Sequence, residues 1–111
     1  MFKQVSIATL AEIDELVHLL NVLFKQDIEF EPDYVKQKAG VEQIINNPEI
    51  GEILVMKTDG KVIGMVSLLY SISTALGGKV AILEDMVMDA NFRRNGLGTE
   101  LLNEAIAFAQ K

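Results

Sequence analysis

The period of apolar and polar positions changes several times along this chain, and each change marks an element. Residues 3–8 alternate and predict a short strand. From Ile13 the spacing becomes helical: Ile13, Leu16, Val17, Leu20, Leu23 and Phe24 share one face. Thr9, with Glu12 three residues later, supplies a capping box where that helix starts. Residues 26–32 form a linker rich in acid. A second helix is predicted over 33–46, and Pro48 prevents its continuation. Residues 52–57 and 62–70 are β-prone runs joined by Asp59 and Gly60, a strong hairpin turn, so they are antiparallel neighbours. Residues 71–78 read as a polar, glycine-ended loop and 80–88 as a fourth strand. Helical spacing resumes over 97–110, with Leu97, Leu101, Leu102, Ala105, Phe108 and Ala109 on the buried side.

The predicted order is β-α-α-β-β-β-α. It implies a meander of strands in a mostly antiparallel sheet with helices packed over it, an α/β layered fold. The chain has 111 residues, half of them hydrophobic. That suffices for one domain over 1–111 with a buried core. There are no internal repeats and no low-complexity segments.

Charge narrows the partners. The formal net charge is -6, from 16 acidic and 10 basic residues. A nucleic-acid binder would carry the opposite balance, and an acidic surface suits a cationic partner. No apolar run approaches the ~18 residues of a membrane span. The first residues lack the apolar core of a signal peptide, so the expected location is the cytoplasm. With no cysteine there is neither a disulfide framework nor thiol catalysis.

Against this acidic background stands one basic, glycine-rich turn: Arg93, Arg94, Asn95, Gly96, Leu97, Gly98, Thr99. It links the apolar fourth strand to the last helix. Backbone N–H groups converge in such a turn, and the helix adds partial positive charge at its start. The combination suits a phosphate or pyrophosphate. Two common phosphate motifs do not match. The P-loop pattern is absent, and G-x-G-x-x-G fails because Leu101 stands where its third glycine belongs.

The pattern that does match is R-x-x-G-x-G, formed by Arg93, Gly96 and Gly98. It resembles the acetyl-CoA pyrophosphate motif of the GNAT N-acetyltransferase superfamily, and the element order resembles that fold from residue 1 to 111. The resemblance implies an acetyl-CoA co-substrate and no metal. Its diphosphate would rest on main-chain amides between Arg94 and Thr99, with the Thr99 hydroxyl as a further donor. Gly96 and Gly98 would be small because the ligand approaches the backbone closely. Main-chain groups of Met86, Val87 and Met88 would hold the pantetheine arm.

Acetyl transfer to an amine requires a neutral nucleophile, and an alkylammonium has a pKa near ~10.4. A base must therefore take its proton. Glu84 and Asp85 stand in the fourth strand just before the turn, and strand alternation puts them on opposite faces. The segment Leu83, Glu84, Asp85, Met86, Val87, with the residues from Ser73 onward, is similar to the polyamine (diamine) branch of the family. That similarity implies Glu84 as general base, through water, and Asp85 as the residue seating the amine. A structural role as hydrogen-bond acceptors is the competing reading for both. Tyr70, at a strand end, is read either as a substrate contact or as a cap on the core. Asp27, Glu29, Glu31 and Asp33 alternate along the linker that borders the acceptor site in this family. They form an acidic rim for a cationic substrate or a solvated loop. His18 has no catalytic assignment, and the methionines read as core filler.

Family members continue beyond a third helix with a fifth strand and further elements, which usually supply one wall of the pantetheine cleft and a tyrosine acid. Neither Tyr34 nor Tyr70 matches that tyrosine. The domain is accordingly expected to be incomplete at its C-terminal side, with the strand over 80–88 as an apolar sheet edge and a homodimer as its natural outcome. The resulting expectation is an acetyl-CoA-dependent N-acetyltransferase acting on the primary amine of a small molecule by direct transfer. The alternative is a non-catalytic CoA-binding or protein-interaction module.

Overall fold

The computed structural model describes residues 3–24, 33–92 and 96–110. Strand β1 (Lys3–Ile7) leads through a 3-10 turn, Leu10–Glu12, into helix α1 (Ile13–Phe24). Helix α2 (Tyr34–Asn46) follows, then strands β2 (Gly51–Thr58), β3 (Lys61–Ser73) and β4 (Gly78–Met88). A second 3-10 turn, Ala90–Phe92, precedes helix α3 (Leu97–Ala109). The sheet order is β1-β2-β3-β4 and every pairing is antiparallel. This is the α/β layering expected.

Local chemistry explains the boundaries. Glu12 accepts a hydrogen bond from the Thr9 backbone N–H at 2.7 Å, closing the start of the first helical stretch. Asp33 caps α2 by accepting from Lys36 N at 3.1 Å. Asp59 and Gly60 both take positive φ, at 52° and 79°, as the β2–β3 hairpin requires. The expected loop over 71–78 is shorter than predicted. Ser71, Ile72 and Ser73 pair with Val80, Lys79 and Gly78, so both strands extend into one long hairpin. Ser71 and Ser73 can sit in this part of the ladder because their side chains stand at its solvent-exposed end.

The sheet has a core on each face. On one, Leu16, Val17, Leu20 and Val41 of α1 and α2 meet Ile53, Val55, Met65 and Val87. On the other, Leu97, Leu101 and Ala105 of α3 meet Leu54, Ile63, Val66 and Met88. Burial of α3 is narrower than its pattern suggests: Leu102 and Phe108 are half-buried and Ala109 is exposed. A helix lying across a twisted sheet covers its central turns better than its last one. Gly64 lets that face close up. A Cβ there would stand 2.4 Å from Met88 Sδ and 3.3 Å from Leu101 Cδ2. Lys57 of β2 pairs with the buried Glu12, and Glu15 accepts from Val62 N at 2.8 Å, so α1 is tied to both strands of the β2–β3 hairpin. Tyr34 donates to Asp14 at 2.8 Å and joins α2 to α1.

Candidate active site

The last strand departs from regular alternation at the point where its carboxylates sit. Met65 pairs with Val87 and Ser67 with Glu84, so two residues of β4, Asp85 and Met86, face the single residue Val66. This is a β-bulge. Asp85 is its extra residue, with φ 50°, a left-handed conformation that aspartate tolerates better than most side chains. The bulge corrects the expectation that Glu84 and Asp85 lie on opposite faces. Glu84 is exposed and lies across from Ser67, so the two share a face of the sheet. Asp85 is half-buried and lines the same cavity as Ser67.

That cavity, of about 280 Å3, lies between the sheet and helices α1 and α2. Leu20, Val41, Ile44, Ile53 and Met65 supply apolar wall. Lys36, Gln37 and Gly40 of α2 complete its helical side. Desolvation by burial, followed by the charge of Glu84, pushes the Asp85 carboxyl above the ordinary aspartate range. Gln37 is a feature that sequence reasoning missed. Its side-chain nitrogen and oxygen are both buried and neither has a hydrogen-bond partner. Leaving a buried polar group unmatched costs about 1–3 kcal/mol. Helical spacing alone could not single it out, because its significance depends on Asp85 lying across the cavity.

Met86 and Met88 point from the end of β4 to the opposite face, toward α3. Asp89 donates its N–H to Ile63 O at 2.7 Å and accepts from Asn91 N at 2.9 Å, turning the chain out of the sheet. Arg93, Arg94 and Asn95 lie outside the described residues, as do Asp27, Glu29 and Glu31. The described turn resumes at Gly96, the N-cap of α3, with φ 82°. Glycine is needed there for its backbone. Gly98 differs. A Cβ on it would meet Met88 Cγ at 3.5 Å and Met86 Cε at 3.9 Å, ordinary contact distances. Packing among the described residues therefore does not demand glycine at 98. Buried Leu97 anchors the first turn of α3, whose N–H groups lack intrahelical acceptors. Gly98 and Thr99 belong to that turn. Small residues beside a helix start and a strand end are the surroundings that a diphosphate with an attached arm requires.

The structure brings Glu84 and Asp85 together at the bulge, and Met86, Met88 and Gly98 together behind it. It does not bring Tyr70 to them. Tyr70 lines a separate hollow with Glu52, Lys79, Val80 and Phe108, and Lys79 Nζ stands 4.1 Å from its ring centroid. Burial and Glu52 raise its pKa. His18 is exposed on α1. No helix among the described residues is long and apolar enough to cross a membrane.

The family profile described as Acetyltransferase (GNAT) family matches residues 13–111. The chain belongs to that family. An uncharacterized N-acetyltransferase of Methanocaldococcus jannaschii is 31% identical over 103 residues, covering 88% of this chain and 45% of that protein. The chain thus spans under half the length of this curated relative. Among solved structures, a possible acetyltransferase from Clostridium difficile 630 superposes with a TM-score of 0.89 at 20% identity, covering 100% of this chain and 73% of that one. A "predicted acetyltransferase with acetyl-CoA" from Clostridium acetobutylicum gives a TM-score of 0.79 at 15% identity, with 98% and 74% covered. These likenesses show the acetyltransferase fold that the element order predicted.

Proposed function

We propose that this chain carries the acetyl-CoA site and the acceptor side of an N-acetyltransferase that acetylates the primary amine of a small molecule. The observation that carries the reading is the β4 bulge. It brings the Asp85 carboxylate into the cavity lining and leaves Glu84 exposed next to it in the strand, just before the chain runs on toward α3.

The roles follow from position. Main-chain amides of the turn, with Gly96, Gly98 and Thr99 in its described part and Arg93, Arg94 and Asn95 before it, hold the diphosphate. Main-chain groups of Met86, Val87 and Met88 at the end of β4 receive the pantetheine arm, as the resemblance to the family implies. Asp85 receives the ammonium in the cavity. Glu84, exposed beside it, takes the proton that makes the amine nucleophilic, directly or through water. The nitrogen then bonds to the acetyl carbonyl carbon, the carbon–sulfur bond breaks, and the sulfur leaves as thiolate and is protonated to free CoA. Transfer is direct, from acetyl-CoA to the amine in a ternary complex. The similarity around Glu84 and Asp85 to the polyamine branch supports a cationic acceptor.

The test is an acceptor screen on the full-length protein that follows free-thiol release from acetyl-CoA. Amine-dependent thiol release is the expected result. CoA binding without turnover on any amine would instead support a non-catalytic CoA-binding module.

A further inference from the structure

We propose that the acceptor is a primary monoamine with an apolar body: one ammonium on Asp85, a hydrocarbon remainder between α2 and the sheet, and one further polar group met by Gln37. This rests on the acetyl-transfer reading above and concerns which amine the cavity admits.

Three observations carry it. The first is charge. Among the described residues, the cavity lining includes one acidic residue, Asp85, and one basic residue, Lys36. A diamine would bring a second positive charge with no second acidic residue in the described lining to meet it. Burying a charge without a partner is strongly unfavourable. The second is the wall. Leu20, Val41, Ile44, Ile53 and Met65 offer hydrocarbon to whatever follows the amine. At about 280 Å3 the space is at the small end of ligand pockets, so a compact body fills it. The third is Gln37, whose buried amide has both an unused donor and an unused acceptor. An apolar amine bearing a hydroxyl or carbonyl would satisfy it.

The discriminating pair is 1-pentylamine and 1,4-diaminobutane, which match in length and differ in a terminal methyl or ammonium. With full-length protein and acetyl-CoA, kcat/KM for pentylamine should exceed that for diaminobutane by at least about tenfold. Calorimetric binding of the two amines in the presence of CoA should show the same order. Gly40→Glu supplies the missing carboxylate. A Cβ at Gly40 meets nothing within 4 Å, and an exposed helical glycine is readily replaced. That variant should shift the pentylamine-to-diaminobutane ratio toward the diamine by about tenfold or more. A diamine equal to or better than pentylamine in the unaltered protein overturns the proposal, as does a ratio unmoved by Gly40→Glu. If the diamine wins while thiol is released, the transferase reading stands and only the monoamine assignment falls. If no amine is acetylated, the transferase reading falls. Binding then decides the cavity: pentylamine preference, reversed by Gly40→Glu, upholds it, and no binding of either amine overturns it.

Discussion

Glu84 lies across the ladder from Ser67, and the residue after it does not take the opposite face of the sheet. The bulge at Asp85 inserts one residue, so Asp85 lines the same cavity as Ser67 while Glu84 stays exposed beside it. Glu84 is exposed and Asp85 half-buried, the difference on which their proposed roles as base and as seat of the ammonium rest.

Glu84→Gln in the full-length protein should lower turnover at neutral pH by about 10²–10⁴-fold, the usual worth of general acid–base catalysis. CoA affinity should hardly change. Steady-state kinetics alongside CoA calorimetry separates the two, and a rate equal to wild type removes Glu84 from the base role.

Gly98→Asp should leave the fold intact and abolish CoA binding. The new Cβ makes ordinary contacts, and an acid in the first turn of a helix favours it by about 0.3–1 kcal/mol. The same carboxylate repels a diphosphate. The expected outcome is an unchanged or higher melting temperature with no heat of CoA binding. Undiminished affinity would place the diphosphate elsewhere.

Asp85→Asn should stabilise the protein at pH 7. A carboxyl whose pKa is raised by folding favours the folded state fully only below its unfolded pKa, about 3.9 for aspartate. That advantage is lost as the pH rises through the folded value, so the ionised group is a cost at neutrality. Asparagine also accepts the positive φ. Melting temperatures of variant and wild type should differ most at pH 7 and converge toward pH 4. A constant difference would mean that Asp85 titrates normally.

Glu12→Ala should cost about 1.5–3 kcal/mol, the range for hydrogen bonds to charged groups. Burial pushes the Glu12 carboxyl up, but Lys57 and the Thr9 backbone N–H outweigh it and hold the pKa below the usual glutamate range. The contribution is therefore present above about pH 4.3 and fades as the pH falls through the folded value. Urea unfolding at pH 7 and pH 4 reads both the size and the sign.

The isolated 111-residue chain should self-associate. Ile82 and Leu83 on β4, the outer described strand, are 46% and 41% exposed, and Leu76 at the hairpin tip is 79% exposed. An apolar strand edge recruits another strand. Light scattering at micromolar concentration checks this, and a monomer throughout would show the edge to be tolerated.

Sequence periodicity located each helix and strand, but it ended β3 and began β4 short of the hairpin tip. Thr9 and Glu12, Asp33, and the pair Asp59 and Gly60 mark their own boundaries through hydrogen bonds within a few residues. The glycine at the start of α3 was legible for the same reason: Gly96 takes positive φ at the helix N-cap. The relative placement of Glu84 and Asp85 was not. Period-two alternation assigns Glu84 and Asp85 to opposite faces, and only pairing with β3 reveals that one residue is surplus. Gln37 gains meaning only when α2 packs over that bulge, and Tyr70 loses its place beside the carboxylates only when β3 and β4 are set in register. Local hydrogen bonding and hydrophobic period are written into neighbouring residues. Which side chains share a cavity depends on strand register and on how helices cross the sheet, and those are set by packing between residues far apart in the chain.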